Sequence, residues 1–364
     1  MSALPRPDWW RGRRVLVTGH TGFVGGWLSA WLAQMGAKVS GFALAPPTEP
    51  SFFARAQLAG RLAASTTGDV NDLAAVKRAV AGADPEVVFH LAAQPIVREA
   101  FRDPVGTFAT NVMGTVNVLE ACRANAGVGR LVLYTTDKVY RNDQSGRAFT
   151  ESDRLGGNEP YSASKAGAEW AIAAWWESYF RRARAHPAVA AVRAGNIVGG
   201  GDWGRDRLLP DAIRAFSQRR ELVIRSPGST RPWQHVIDCL RGTLALAERL
   251  DDADRGAEAL AWNLGPAAGE VHAVSEVASL AAKAWGEGAA WRHEADATIP
   301  ESRALVLSSE RAARELGWRA AWGLERAVGE SVAWYRAARD GGDLLALCAR
   351  QIEANLADAA KANA

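Results

Sequence analysis

Hydrophobic and polar positions alternate in blocks along the first half of the chain, and the blocks predict strands and helices in turn. Short apolar runs rich in β-branched residues stand at positions 13–19, 37–44, 86–92, 129–136 and 188–196. Stretches with helical spacing of apolar residues separate them, including 23–36, 103–126 and 161–180. Strands that alternate with helices predict a parallel sheet covered by helices on both faces.

The regular alternation ends after Asn196. Residues 199–210 and 226–235 are rich in glycine, proline and charge, which predicts loops, whereas 236–250 has the pattern of a helix. The segment AWNLG at 261–265 predicts a last short strand. We therefore predict a doubly wound α/β fold of the Rossmann type, in which residues 1–195 plus 233–268 form the sheet domain. Residues 196–232 plus 269–364 are expected to form a smaller mixed α/β lobe.

Composition restricts the classes of partner. The chain has 364 residues, of which 48% are hydrophobic and 23% charged, and 43 basic against 40 acidic residues leave a formal charge of +3. The charges form no block of one sign, so neither nucleic acid nor a membrane surface is an expected partner. Three widely spaced cysteines show no metal-ligand spacing, and no run of residues resembles a leader or a membrane span. We expect a cytoplasmic protein without a bound metal.

A glycine-rich loop lies between the first predicted strand and its helix. Gly19, Gly22 and Gly25 have the spacing G-x-x-G-x-x-G. In such a loop the first glycine permits a tight turn, the second lets the backbone approach a pyrophosphate, and the third lets helix and strand pack closely. The strand–loop–helix context supports a dinucleotide site. Its predicted contacts in this segment are Gly19, Thr21, Gly22, Phe23, Val24 and Gly25.

The end of the second predicted strand does not reveal which dinucleotide is bound. The segment SGFALAPP contains no acidic residue for an adenosine ribose and no arginine for a 2′-phosphate, so NAD and NADP both stay open. Other residues predicted to line the cofactor follow the third and fourth strands. They are Asp69, Val70, Leu91, Ala92 and Ala93.

Tyr161 and Lys165 stand four residues apart at the start of a predicted helix, so their side chains share one face. A cation in that position is expected to lower the pKa of the phenol and to let Tyr161 act as a base. A tyrosine and a lysine at this spacing also occur by chance. Together with the glycine loop and with Thr136 at a strand end, the pair becomes a specific signal for an active site.

These three features resemble the extended, nucleotide-sugar-modifying branch of the short-chain dehydrogenase/reductase superfamily. The segment TTDKVY at 135–140 is similar to the CDP-glucose 4,6-dehydratases, and further similar segments cover the chain from about Val15 to His235. These segments are TGHTGFVGGWL, GFALAPPTEPSFF, HLAAQPIV, LGGNEPYSASK, GNIVGGGDW and TRPWQHV. The segment 299–318 departs from the pattern, because a His-Glu pair of that family is altered here.

The resemblance implies an internal redox reaction on a nucleotide sugar such as CDP-glucose. Tyr161, sharing a hydrogen bond with Thr136, takes the proton of the 4-hydroxyl while NAD accepts the C4 hydride. The resulting ketone acidifies the C5 proton, the 6-hydroxyl leaves as water, and the hydride returns to C6. Asp137 is the expected acid for the leaving hydroxyl if burial keeps it protonated. Lys138 is either the neutral base for the C5 proton or a cation that stabilises the enolate.

The resemblance also implies contacts with the substrate and a homodimer. Guanidinium groups suit the diphosphate, and the predicted substrate-side residues are Gln94, Asn196, Arg205, Arg207, Arg231 and His235. Members of the family usually dimerise through the Tyr161 helix and the long helix before it. Trp170, Trp175 and Trp176 are therefore expected in the core or in a dimer interface.

Three other functions are compatible with parts of this pattern. Another nucleotide-sugar 4,6-dehydratase would perform the same chemistry. One for UDP-N-acetylhexosamine can also carry T-D-K at 136–138, whereas the dTDP-glucose enzymes resemble T-D-E at this place. A 4-epimerase or decarboxylase would share Tyr161 and Lys165 but would not need the Asp-Lys pair. A non-catalytic dinucleotide sensor would not require the tyrosine and lysine at all. The sequence does not determine the base of the nucleotide sugar.

Overall fold

The computed structural model describes residues 4–181, 187–250, 260–267, 269–294 and 304–362. Its strands follow one another along the chain. They are β1 (Arg14–Thr18), β2 (Lys38–Ala43), β3 (Ala64–Thr67), β4 (Val87–His90), β5 (Arg130–Tyr134), β6 (Ala148–Phe149), β7 (Ala188–Ala194), β8 (Asn196–Val198), β9 (Leu222–Ile224), β10 (Thr230–Arg231), β11 (Trp233–His235), β12 (Ala261–Leu264), β13 (His272–Ala273), β14 (Trp291–His293) and β15 (Val306–Leu307).

The helices of the described residues connect and cover these strands. They are α1 (Pro7–Trp10), α2 (Phe23–Gln34), α3 (Phe52–Arg55), α4 (Leu73–Ala83), α5 (Val97–Arg102), α6 (Pro104–Phe108), α7 (Gly114–Arg123), α8 (Pro160–Trp175), α9 (Leu208–Ser217), α10 (Val236–Arg249), α11 (Val274–Trp285), α12 (Glu310–Leu316), α13 (Leu324–Arg339) and α14 (Leu344–Ala362). Each of them is too short or too polar to span a bilayer.

Seven of the strands form one parallel sheet in the order β12-β7-β5-β4-β1-β2-β3. The strands β4 and β7 are buried along their whole length, as expected when helices cover both faces. One apolar core contains residues of α2 and α10, and a second contains residues of α4, α7 and α8. The predicted doubly wound α/β fold is confirmed.

The predicted long helix at 103–126 contains a change of helical pitch. A π-helical turn, Ala109–Met113, stands between α6 and α7. Such turns widen the helix locally and often occur at functional sites. Here the turn carries Asn111, which is buried and donates hydrogen bonds to the carbonyl of Gln94 at 3.0 Å and to the Ser164 hydroxyl at 2.9 Å. The turn therefore joins α8 to the loop that follows β4.

The second half of the chain adds helices and paired short strands. The pairs are β8 with β11, β10 with β13, β9 with β14 and β6 with β15. Helix α11 packs against α9 and α13, and tryptophan side chains at 285, 318, 322 and 334 are buried in the first core. The loop predicted at 226–235 contains β10 and β11. These strands are too short for a periodic pattern to reveal them.

Candidate active site

The predicted cofactor and catalytic residues meet at one edge of the main sheet. Parallel strands end at the same edge, so the loops after β1, β3, β4 and β5 converge there. The backbone N–H of Leu91, after β4, donates to the carbonyl of Thr18 at 3.1 Å. The buried His90 ring contacts the hydroxyls of Thr18 at 2.8 Å and Thr115 at 3.1 Å. These contacts fix the strand ends on which the site is built.

The glycine loop has the backbone that the sequence predicts. Gly19 has φ of +77°, and a Cβ there would lie 2.7 Å from the nitrogen of Ala92. A Cβ at Gly25 would lie 2.2 Å from the carbonyl oxygen of Gly19, so a side chain cannot fit without a shift. Gly22 is the N-cap of α2, and the start of this helix faces the loop. A helix N-terminus beside bare backbone suits a pyrophosphate.

Other predicted cofactor residues line the same edge. Thr21 donates from its hydroxyl to the carbonyl of Leu44 at 2.9 Å, which joins the glycine loop to the end of β2. Asp69 accepts a hydrogen bond from the backbone of Asn71 at 2.9 Å, and Val70 is buried. Leu44 itself is exposed. Residues 44–47, directly after β2, are all apolar, so they offer the cofactor no charged side chain, as the sequence indicates.

The end of β5 turns directly into the candidate catalytic residues. Thr136 caps a single 3-10 turn, Asp137–Val139, and its hydroxyl accepts the backbone N–H of Lys138 at 3.4 Å. The same hydroxyl donates to Oδ1 of Asp137 at 3.0 Å and is near enough to the phenol of Tyr161 to lower its pKa. Thr136 therefore interacts with both Tyr161 and Asp137.

Asp137 has the environment expected of an acid. Its side chain is buried, with 2% of its surface exposed, and Oδ2 has no hydrogen-bond partner among the described residues. Burial raises the pKa of Asp137 to about 6, against the opposing effects of Lys138, Thr136 and Arg231. Burial and the neighbouring lysine therefore both act on the pKa of Asp137, as predicted, and burial has the larger effect.

Tyr161 and Lys165 lie on one buried face of α8, as their spacing predicts. Burial raises the pKa of Tyr161 to about 12, although the Thr136 hydrogen bond and the charge of Arg207 lower it. Lys165 donates from Nζ to the carbonyl of Tyr134 at 3.0 Å. Our expectation that Lys165 lowers the pKa of the phenol is wrong for this structure, because burial dominates.

Lys138 faces the same space. Its Nζ lies 5.9 Å from the centre of the Tyr161 ring, and its charge lowers the pKa of Asp137. Lys138 is only partly buried. Lys165 is buried, and burial lowers its pKa to about 8. Two amines of different exposure therefore accompany the tyrosine.

Two of the predicted substrate-side arginines contribute charge to this space. Arg207 pairs with Asp202 at 2.8 Å and lowers the pKa of Tyr161. Arg231 is buried, and its charge lowers the pKa of Asp137. Arg205, two residues before Arg207, is exposed. The arginines at 207 and 231 thus act electrostatically on the candidate catalytic groups.

The structure corrects the expectation for His235. This side chain is fully buried between Trp27 and Trp322, and its Nδ1 accepts the backbone N–H of Ile237 at 3.3 Å. Burial lowers the pKa of His235 to about 3, so the ring is neutral. His235 therefore caps α10 inside the core. Because its ring has no exposed surface, it offers no contact to a substrate in this structure.

Two further predicted substrate residues have polar positions near the strand ends. The Gln94 side chain donates to Thr107 at 2.9 Å and accepts from the backbone of Ile96 at 2.5 Å, so it shapes the loop after β4. Asn196 begins β8, and its backbone N–H donates to the carbonyl of Pro232 at 3.0 Å. Their contact with a substrate stays a prediction. In the segment 299–318, where the His-Glu pair is altered, residues 299–303 lie outside the described residues.

A buried ion pair behind the site was missed by the sequence analysis. Glu169 accepts from Nε of Arg193 at 2.8 Å and from the hydroxyl of Thr135 at 2.7 Å. All three residues are buried. Glu169 follows Lys165 by four residues, so the pattern Y-x-x-x-K-x-x-x-E was the available signal. The sequence offers no comparable signal for Arg193, because its partner Glu169 is distant in sequence.

Comparison with known proteins agrees with this geometry. A curated CDP-glucose 4,6-dehydratase from Salmonella typhimurium is 40% identical over 349 residues, which cover 95% of this chain and 96% of that protein. A dTDP-glucose 4,6-dehydratase from Streptomyces griseus is 30% identical over 269 residues, covering 74% and 76%.

A solved structure of a UDP-glucose 4-epimerase from Thermus thermophilus, in complex with NAD, superposes with a TM-score of 0.75. It is 26% identical, and the alignment covers 89% of this chain and 99% of that one. Residues 15–265 match the sequence pattern of one enzyme family over most of the chain. This protein belongs to the NAD dependent epimerase/dehydratase family.

Proposed function

We propose that this protein is an NAD-dependent hydro-lyase that converts CDP-glucose to CDP-4-keto-6-deoxyglucose and water. The 40% identity to a CDP-glucose 4,6-dehydratase over nearly the full length of both chains supports the substrate. The glycine loop at the start of α2 supports the dinucleotide. The missing acid after β2 does not exclude NAD, since the backbone cradle and helix N-terminus remain available to the pyrophosphate.

The observation that carries this proposal is the buried carboxyl of Asp137. Elimination of a hydroxyl requires an acid, whereas epimerisation at C4 does not. An aspartate with a pKa of about 6 retains a protonated fraction near neutral pH. Its hydrogen bond to Thr136 places it next to the group that contacts Tyr161. The site therefore contains an acid that only the dehydratase reaction uses.

The first step assigns the proton of the 4-hydroxyl to Tyr161. NAD, when bound, supplies the hydride acceptor for C4 and the hydride donor for C6. Thr136 and Arg207 are the groups of this chain that favour the tyrosinate, because both lower the pKa of the buried phenol. Lys165 holds the carbonyl of Tyr134 and thereby fixes α8 against the end of β5.

The second step uses Asp137 and Lys138. Asp137 donates its proton to the departing 6-hydroxyl, which leaves as water. Lys138, whose Nζ lies 5.9 Å from the centre of the Tyr161 ring, takes the C5 proton in its neutral form as the 6-hydroxyl leaves. The ammonium so formed stabilises the enolate and returns the proton to C5 when the hydride reaches C6.

Arginines from the smaller lobe are proposed to hold the diphosphate. Arg207 and Arg231 belong to the segment 196–232. The charge of Arg207 lowers the pKa of Tyr161, and the charge of Arg231 lowers the pKa of Asp137. A guanidinium binds phosphate oxygens with paired hydrogen bonds. In this proposal the lobe formed by 196–232 and 269–364 supplies most of the contacts with the sugar nucleotide. Asn196 and the exposed Arg205 belong to this lobe. Gln94 adds a further contact from the loop after β4.

The protein is also proposed to be a homodimer that works in the cytoplasm. Helices α5 to α8 expose large apolar side chains, including Val105 at 79% and Trp170 at 60%. The others in this region are Phe101, Phe108, Met113 and Tyr179. Such a patch on helices that pack together is typical of a helical interface. The three buried free cysteines are consistent with a reducing compartment.

Incubation with four nucleotide sugars tests the reaction and the substrate together. Purified protein with NAD receives CDP-, dTDP-, UDP- or GDP-glucose without a reductant, and the product mass is followed. Loss of one water from CDP-glucose alone is the expected result. Equal turnover of all four would contradict the CDP assignment, and an unchanged mass with a new epimer would indicate a 4-epimerase. Bound cofactor without change in any sugar would indicate a non-catalytic sensor.

A further inference from the structure

The catalytic face of α8 continues past the tyrosine and the lysine. Tyr161, Lys165 and Glu169 follow one another at four-residue intervals, and all three are buried. Each contacts the end of β5 or the residues that directly follow it. Tyr161 interacts with the Thr136 hydroxyl, Lys165 donates to the carbonyl of Tyr134, and Glu169 accepts from Thr135. One helix face thus binds three consecutive residues of the chain.

We propose that Glu169 is a positioning residue that ties the catalytic face of α8 to the end of β5 and balances the charge of Lys165. The inference deepens the proposed function and rests on it. Its effect on the reaction is exerted through the residues that it contacts or balances, Thr135 and Lys165.

The geometry supports the first part of the proposal. Both carboxylate oxygens of Glu169 accept from Nε of Arg193, at 2.8 and 3.0 Å, and Oε2 also accepts from Nη2. Arg193 is itself held by the Tyr140 hydroxyl and the Glu151 carbonyl, both at 3.0 Å. Since β7 pairs with β5, Arg193 fixes Glu169 relative to the strand that ends beside Thr135.

The surroundings of Lys165 support the second part. Burial lowers the pKa of Lys165 to about 8, and the charge of Glu169 acts in the opposite direction. Two other titratable groups near Lys165 in the described part of the chain are uncharged. His90 on β4 has a pKa lowered to about 3 by burial and by Lys165, and Tyr161 has a pKa raised by burial. Glu169 is therefore an anion that favours the protonated form of this buried amine.

The test is the variant Glu169→Gln, which keeps the shape of the side chain and removes its charge. Lys165 should then lose its balancing anion and face the uncompensated Arg193. We expect its titration midpoint to move to lower pH by about one unit. An NMR titration of protein labelled with ¹³C-lysine, in which the Lys165 signal among the six lysines is identified by its absence in Lys165→Arg, reports this midpoint without requiring turnover. The alkaline limb of kcat should shift by the same amount.

Two further variants make the result decisive. Glu177→Gln removes an exposed ion pair with Arg181 just beyond α8 and should leave the Lys165 midpoint unchanged. The double variant Glu169→Gln with Arg193→Gln removes both buried charges, so it keeps the test available if the single variant fails to fold. Its midpoint should lie between those of the parent and Glu169→Gln.

An unchanged Lys165 midpoint, with activity lowered equally at every pH, would overturn the proposal and leave Glu169 a structural residue. Failure of the proposed function gives a different result, because the parent would then turn over none of the sugars while its lysine titration could still be measured. A shifted midpoint in Glu169→Gln would support the positioning role even in that case.

Discussion

Replacing Asp137 with asparagine should stabilise the folded protein while it abolishes dehydration. The side chain is 2% exposed, and burial raises its pKa from 3.8 to about 6. The folded protein therefore holds this proton more tightly than the unfolded chain does. Above pH 6 the fold must accommodate a buried carboxylate that the unfolded chain leaves in water.

The magnitude follows from the shift in pKa. A difference of about two units, at 1.36 kcal/mol each, corresponds to about 3 kcal/mol. Because the folded-state pKa is raised, stability falls as pH rises from about 4 to 6, and the whole penalty is present at higher pH. Asparagine keeps an oxygen for Thr136 and carries no charge. The variant should thus be more stable by about 2–3 kcal/mol at pH 8 and equal to the parent near pH 4.

The assay is unfolding at fixed protein and cofactor concentration over a series of pH values between about 4 and 8. We expect the free energy of unfolding of Asp137→Asn to exceed that of the parent by a margin that grows as the pH rises through this interval. Asp8→Asn serves as a control, because the side chain of Asp8 is 88% exposed and its charge is solvated in both states. It should give no pH-dependent difference.

Activity of the same variant tests the role of the acid. Loss of a general acid lowers the rate by roughly 10²–10⁴-fold. The C4 oxidation should still occur, so reduced nicotinamide should accumulate when CDP-glucose is added. In the parent, kcat/KM should decline above about pH 6, as Asp137 loses its proton. The reasoning is refuted if Asp137→Asn is less stable than the parent at pH 8, or if it dehydrates the sugar at the parental rate.

Three further predictions concern the cofactor, the base and the assembly. Tyr161→Phe should lower kcat by about 10²–10⁴-fold and, unlike the change at the acid, should prevent the accumulation of reduced nicotinamide on addition of sugar. Gly25→Ala would bring a methyl group within 2.2 Å of the Gly19 carbonyl and should reduce the NAD content of purified protein, measured by release on denaturation. Gly82→Ala, in open space on α4, should retain NAD, and equal NAD contents in both would contradict the packing argument. Val105→Glu should convert the proposed dimer to monomers in sedimentation velocity, and an unchanged sedimentation coefficient would place the interface elsewhere.

Local patterns in the sequence were sufficient to predict the sheet and the glycine loop. Both depend on short-range rules: the period of apolar residues identifies strands and helices, and a glycine is needed where a Cβ would collide with backbone. Tyr161 and Lys165 were recognised for the same reason, since residues four apart on a helix share a face. The short strands β10 and β11 were missed, because two or three residues cannot show a period.

Long-range contacts explain the errors. His235 lies within a segment that resembles a substrate site, yet its ring fills a space between two tryptophans from distant parts of the chain. The pKa of Tyr161 was predicted to fall because the sequence shows a lysine nearby and cannot show burial. Burial results from the whole fold, and here its effect exceeds that of the charge.

The sequence by itself determined the class of fold and the dinucleotide loop, and it predicted the residues that we propose to carry the reaction. Only the tertiary structure decided how they act. It removes Asp137 from water and raises its pKa, brings Arg231 within electrostatic reach of it, and pairs Glu169 with Arg193 beneath Lys165. The physical reason is that desolvation and charge pairing depend on distances between residues that are far apart in the chain.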